Sequence, residues 1–154
     1  MKTVEKIISG LRAGKLKIAA AESCSGGLLA DAFVSVPGAS DVFLGSLVCY
    51  DPKIKRGVLG VPAAVLKRGV VSEECALEMA ECAAELFKAD IALAITGFAD
   101  KSDEDGVEDG TVFVALSSKN GACVEKMLLK GPRNSNRKAA VKTALKMLEA
   151  HLEP

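Results

Sequence analysis

Ala21-Glu22-Ser23-Cys24-Ser25-Gly26-Gly27 follows the apolar run Lys17-Ile18-Ala19-Ala20 and leads into Leu28-Leu29-Ala30. Small hydroxyl, thiol and glycine residues therefore gather where a strand hands over to a helix. A helix starting there aims unpaired backbone N–H groups and the positive end of its dipole at whatever lies above Ser23, and Gly26 and Gly27 let an anion or oxyanion come close. An ordinary Ser-capped helix with glycines for close packing is the plainer reading of the same residues. Two other groups could share the chemistry: Tyr50, the only tyrosine, followed by Lys53, Lys55 and Arg56, and the pair Thr96-Gly97.

Several kinds of chemistry are excluded or disfavoured. The single histidine, His151, sits almost at the C-terminus, which leaves no partner for a His-based zinc site, a Ser-His-Asp triad or a Cys24 thiol nucleophile. Lysine remains as the available base. Cysteines at 24, 49, 75, 82 and 123 are odd in number and form no C-x-x-C, so reduced, mostly buried thiols are expected. Cys75 and Cys82, seven apart, share a helix face and read as core. Asp103, Asp105 and Gly106 echo part of a calcium loop, but Lys101 and Val112 occupy its first and closing ligand positions, so no metal is expected. No G-x-G-x-x-G follows the first strand, which argues against a dinucleotide fold. Lys plus Arg equals Asp plus Glu at 20 each, giving no net field toward nucleic acid or an anionic membrane; any anion must be held locally. Charges at Lys2, Glu5 and Lys6 interrupt the N-terminal apolar residues, and a cytoplasmic protein is expected.

The 154 residues suit one domain spanning 1–154. Val4, Ile7, Ile8 and Leu11 have helical spacing, and Gly14 precedes a strand near 16–22. A helix over 25–34, a loop at 36–41 and a strand over 45–50 follow. Asp51-Pro52 caps a short helix that Gly60 ends. Ser72 opens a helix with an apolar stripe at Leu77, Ala80, Ala84 and Phe87, and residues 90–96 form a strand. An acidic loop comes next, carrying Asp100, Asp103, Glu104, Asp105, Glu108 and Asp109. Strands over 111–116 and 123–129 flank a turn at 117–121, and a helix from about Ser135 presents Val141, Leu145 and Leu148. The alternation implies a three-layer α/β/α sandwich on a mixed, mainly parallel sheet with at least one antiparallel strand. Ligands in such folds lie beyond the C-terminal strand ends, where Ser23, Tyr50 and Thr96 all fall.

Beyond the opening motif, Val36-Pro37-Gly38-Ala39-Ser40, Tyr50 with Lys55, Gly60-Val61-Pro62, Val71-Ser72-Glu73, Ile95-Thr96-Gly97 and Gly110-Thr111-Val112 occur in register from residue 4 to the last helix. In that order they resemble the CinA C-terminal domain family, whose characterised members are nicotinamide-nucleotide amidases. The resemblance implies hydrolysis of the carboxamide of nicotinamide mononucleotide to nicotinic acid mononucleotide and ammonia. It implies a Ser/Lys-type site without metal or cofactor, in a homo-oligomer, a dimer or higher. The family pattern places its important residues on Ser23, Ser40, Tyr50, Lys55, Thr96 and Arg133.

An amide needs an activated nucleophile, an oxyanion pocket and a proton donor for the leaving nitrogen. Ser23 is assigned as nucleophile, with Ser40 as the alternative, and the amides around Ser25, Gly26 and Gly27 as oxyanion donors. Lys55 is the base, relaying its proton directly or through Tyr50 or Ser40, with Lys53 or Arg56 as the nearby cation that keeps it neutral. Thr96-Gly97 would contact ribose or pyridine, and Arg133 would clamp the phosphate. The chain departs from the family where glycine-rich sequence is usual after Thr-Gly: Asp100-Lys101-Ser102-Asp103-Glu104-Asp105 stands there and repels phosphate. Pro132 replaces an aspartate, Asp51-Pro52 replaces Ser-Asn, and Ser25 replaces a threonine. A catalytically silent domain that binds a nucleotide-like ligand or a protein partner is the second expectation.

Overall fold

A computed structural model describes residues 2–154. Val4, Ile7, Ile8 and Leu11 bury one stripe of α1 (Lys2–Ala13), as their spacing requires. The chain then enters β1 (Ile18–Glu22), whose five residues are all buried. Such a strand, apolar on both faces, belongs at the centre of a covered parallel sheet. After α2 (Leu28–Val34) and a 3₁₀ turn (Ala39–Asp41) comes β2 (Phe43–Val48). Next are α3 (Pro52–Ile54), a π-helical turn (Lys55–Leu59), α4 (Ala63–Arg68) and α5 (Glu73–Phe87). The chain closes with β3 (Ile91–Gly97), β4 (Thr111–Ser118), β5 (Gly121–Leu128) and α6 (Arg133–Leu152).

The sheet order is β2-β1-β3-β4-β5, with β1 parallel to both β2 and β3 and β4 antiparallel to both its neighbours. Only β4 therefore runs against the rest, and the mixed, mainly parallel sheet is as the element pattern implies. Two cores sandwich it. Phe33, Leu29, Leu93, Ile95 and Leu148 belong to the one under α1, α2 and α6; Met79, Ala80, Cys75 and Val65 belong to the one under α4 and α5. Among the described residues no helix is long and apolar enough to cross a membrane.

Three local expectations change. Helix α5 buries Cys75, Ala76, Met79, Ala80 and Ala83, so its inner face is rotated from the expected stripe; Leu77 and Ala84 only flank the core. Small residues line the packed face because the helix lies close over the alanine-rich strands β1 and β3. In the hairpin the strands extend inward to Ser118 and Gly121, leaving a two-residue loop. Helix α2 begins at Leu28 rather than near Ser25, because Gly26 and Gly27 adopt positive φ (56° and 104°) and hold residues 23–27 as a turn.

Candidate active site

β1 ends at Glu22, and the ladder pattern carries on one residue further: the Ser23 amide donates to the Ile95 carbonyl at 2.9 Å, while the Cys49 amide donates to the Glu22 carbonyl at 2.8 Å. Ser23 is thus fixed from both neighbouring strands at the C-terminal edge of the sheet. From the adjacent strand end, Asp51 caps α3 by accepting from the Lys53 amide at 2.7 Å, with Pro52 in the first turn. Side chains on a helix lean toward its N-terminus, so Lys55 runs back toward the strand ends it has just left. Its Nζ lies 2.9 Å from Ser23 Oγ, 2.9 Å from the Cys49 carbonyl and 3.1 Å from the Tyr50 carbonyl. Lys55 is only 1% exposed.

Burial pushes the Lys55 ammonium below its ordinary value of 10.5, against a weaker opposing effect from the surrounding thiols and Asp51. Lys53 and Arg56 are exposed and are not among the main causes of this shift, so desolvation takes the role expected of a neighbouring cation. The Cys24 thiol is pushed up to about 11 by burial, which makes it a poor nucleophile.

Ser23 and Lys55 open into a cleft of about 560 Å³, whose walls include Tyr50, Thr96, Gly97 and Phe98. Thr96 is fully buried and donates its hydroxyl to the Val70 carbonyl at 3.0 Å. Gly97 is required for packing: a Cβ there would meet the Thr111 carbonyl oxygen and Val112 Cα at 2.7 Å. Tyr50 is 62% exposed; its backbone carbonyl serves Lys55, while its hydroxyl accepts from Arg133 Nη2 at 3.4 Å and bonds to neither Ser23 nor Lys55.

Three further expectations change here, wholly or in part. Ser40 is exposed and lines a separate depression with Val34, Pro37 and Phe43. It precedes β2, at the N-terminal end of a strand registered Ile18 to Phe43, whereas Ser23 follows the C-terminal end. A strand of that length separates them by roughly 17 Å. Within one chain Ser40 is therefore neither nucleophile nor relay. Of the expected oxyanion donors, Ser25 keeps a free amide and Gly26 and Gly27 do not. The Gly26 and Leu28 amides are spent on the Ser23 and Ser25 carbonyls, and the Gly27, Leu29 and Ala30 amides on the Glu22 carboxylate. Between Ser23 and Ala30, only the amides of Cys24 and Ser25 have no acceptor among the described residues. Arg133, third, is held by Asp100 at 2.6 Å and lies outside the cleft lining.

Residues that the sequence reading passed over hold this arrangement in place. Glu22 is fully buried and accepts from three amides and from the Ser46 hydroxyl at 2.7 Å, so it caps α2 from inside the sheet. A carboxylate directly before the serine of an otherwise apolar strand was the available signal. Arg137 of α6 donates through Nε to the Cys24 carbonyl at 2.8 Å and through Nη2 to the Ser25 carbonyl at 3.0 Å, clasping the turn that carries Ser23. Nothing local in the sequence links Arg137 to that turn. Ser25 Oγ is buried with no hydrogen-bond partner, the only such side-chain atom among the described residues.

The CinA C-terminal domain model matches residues 1–152. A CinA-like protein of Thermotoga neapolitana is 40% identical over 154 residues, covering 99% of this chain and 38% of that protein. A putative competence-damage inducible protein of Desulforudis audaxviator is 41% identical over 98% of this chain and 36% of its own length. The chain thus spans little more than a third of these relatives. Among solved structures, a CinA superfamily protein from Klebsiella pneumoniae superposes with TM-score 0.94 at 31% identity, covering 98% of this chain and 96% of that one. The competence/damage inducible protein CihA from Agrobacterium tumefaciens gives 0.93 at 34% identity, with 99% and 94% covered. With the motifs in register, the fold superposed and nearly the whole chain matched, this protein belongs to the CinA C-terminal domain family.

Proposed function

We propose that the chain is an amidohydrolase acting on the carboxamide of a pyridine nucleotide, with nicotinamide mononucleotide as the reference substrate. One observation carries the reading: the hydrogen-bond geometry of Lys55. A neutral amine has two N–H donors and one lone pair. Two donors match the Cys49 and Tyr50 carbonyls, which leaves the lone pair for Ser23 Oγ at 2.9 Å. The burial that favours the neutral amine and the contact that uses it coincide in one residue.

Ser23 Oγ attacks the amide carbon as its proton passes to Lys55 Nζ, and negative charge develops on the carbonyl oxygen. The free amides of Cys24 and Ser25 are the donors near that point. Lys55 returns the proton to the nitrogen, the C–N bond breaks and ammonia leaves an acyl ester on Ser23. Water then gives a proton to Lys55 and adds to the ester; the acid departs and Ser23 Oγ recovers its proton. Thr96, Gly97 and Phe98 form the wall against which the ring would lie. A homo-oligomer, in which Ser40 of a second copy is brought to this centre, is the assembly that would restore Ser40 to the site.

Ammonia release from nicotinamide mononucleotide, compared for wild type, Ser23→Ala, Lys55→Ala and Ser40→Ala, tests the assignment. Loss in the first two variants is expected; a normal rate in Lys55→Ala removes the base. Loss in Ser40→Ala requires that serine to come from another copy. The Asp100–Arg133 pair favours a second reading, a silent ligand-binding domain, which wild-type inactivity with retained binding would select.

A further inference from the structure

Two lysines line the cleft, in opposite circumstances. Lys55 is dry and committed to Ser23 and two carbonyls. Lys67, in the last turn of α4, is exposed and, among the described residues, forms no ion pair. Arg68, Arg133 and Arg137 are all engaged. Arg68, next in the chain, donates through Nε to Glu74 at 2.9 Å. Arg133 is paired with Asp100, and Arg137 is spent on the Cys24 and Ser25 carbonyls and, through Nη1, on Asn134 Oδ1 at 3.1 Å. The N-terminus of α2, expected to receive an anion, is filled by the buried Glu22 carboxylate.

The wall that carries Lys67 is tied to the catalytic edge of the sheet. The Ser23 amide bonds to the Ile95 carbonyl, and the next residue of β3, Thr96, donates its buried hydroxyl to the Val70 carbonyl at 3.0 Å. The Ser72 hydroxyl donates to the Gly69 carbonyl at 2.8 Å, and the Gly69 amide closes α4 on the Val65 carbonyl at 3.2 Å. Lys67 precedes Val70 by three residues, a chain span of at most roughly 11 Å. Its flexible stem lets the ammonium sweep the rim on that side. Glu104 is the local competitor: its Oε1 lies 3.3 Å from the position a Cβ on Gly69 would take, yet no ion pair joins it to Lys67.

From this arrangement we infer that Lys67 binds the phosphate of the nucleotide substrate, in the role expected of Arg133. The inference rests on the pyridine-nucleotide reading for its ligand and on the cleft walls for the residue. With the carboxamide at Ser23 and the ring along Thr96, Gly97 and Phe98, the phosphate lies across the ribose from the reacting carbon and must find its counter-charge away from the catalytic pair. The other charged groups of the lining are Asp51, Asp103 and Glu104, which suit the positive pyridinium and oppose a phosphate. A phosphate monoester carries roughly 1.5 to 2 negative charges near neutral pH. Lys67 is the cation in the lining that has no other partner, so the walls carry both signs of charge that the nucleotide carries.

The test compares nicotinamide mononucleotide with nicotinamide riboside, which shares its carboxamide, ring and ribose and lacks the phosphate. Lys67→Ala should raise KM for the mononucleotide about tenfold at low ionic strength, with little change in kcat, and Lys67→Arg should recover most of the loss. KM for the riboside should stay within about twofold of wild type in both variants. Added salt should raise the wild-type KM for the mononucleotide and leave that of Lys67→Ala nearly flat. An equal change for both substrates, or none for the mononucleotide, overturns the inference while leaving the amidohydrolase reading standing. Calorimetric titration of both compounds into Ser23→Ala and Ser23→Ala/Lys67→Ala reads binding without turnover. If wild type releases ammonia from neither compound, the amidohydrolase reading fails, and weaker binding of the mononucleotide but not of the riboside in the double variant sustains Lys67. Unchanged binding, or no binding of the mononucleotide to Ser23→Ala, ends it.

Discussion

Lys55 is where sequence, environment and chemistry meet. In a water-exposed helix it would be an ordinary charged lysine, but here its stem lies in the protein and its nitrogen faces two carbonyls and a serine. Ser23→Ala and Lys55→Ala should each lower kcat for ammonia release by at least about a thousandfold, since nucleophile and base act as a unit. Because the base must be unprotonated, kcat/KM should rise with pH to a plateau, with a midpoint below the 10.5 of a free lysine; an initial-rate profile reads it directly. Stability carries the same signature. Burial lowers the folded-state pKa, so between that value and 10.5 the unfolded chain binds more protons. Wild-type stability relative to Lys55→Met should therefore increase with pH through that window, fall to its minimum below the folded-state pKa and level off above 10.5. Urea unfolding of the two proteins at matched pH values measures the difference.

Elements place these side chains by their junctions more than by their interiors. β1 and β2 end side by side, and the turn after each delivers one partner: Ser23 directly, Lys55 through the capped start of α3. The first turn is held from beneath by Glu22 and from the side by Arg137. Glu22→Ala should cost about 2–4 kcal/mol, because three amides and the Ser46 hydroxyl lose a charged acceptor in a buried site. Chemical denaturation checks this, with Glu22→Gln expected to lie between the two. Arg137→Ala removes the clasp without emptying the core. It should reduce kcat more than it reduces the melting temperature, whereas a proportional loss of both would assign Arg137 to stability alone.

At the scale of the molecule, two apolar layers on an alanine-rich sheet fix the positions of its ends, and the ends carry the chemistry. Phe33 is fully buried in one layer and stacks on Phe43 with ring centroids 4.9 Å apart. Phe33→Ala should destabilise the fold by about 3–5 kcal/mol in denaturant unfolding. The cysteines report the same packing: Cys24, Cys49 and Cys75 are buried, Cys82 is half-buried and Cys123 is exposed on β5. Burial holds the thiols of Cys24, Cys75 and Cys82 up near 11 to 12. Iodoacetamide under native conditions should modify Cys123 rapidly and the buried three only on unfolding, as mass analysis of the peptides would establish.

Local pattern determined much of this protein. The stripe of α1, the Asp51-Pro52 and Ser72 caps, the hairpin and the strand–helix alternation are written in spacings of a few residues, and they sufficed for the sandwich and for placing Ser23, Tyr50 and Thr96 near one edge of the sheet. The poverty of histidine left lysine as the available base. Tertiary structure alone decided which lysine is dry, because desolvation arises from atoms contributed by several elements. It also sent Ser40 to the opposite end of β2, since chain proximity to β2 does not say which end of the sheet a turn occupies. Finally, it gave the helix terminus to Glu22 and Arg133 to Asp100, two pairings set by which side chains reach across the fold first.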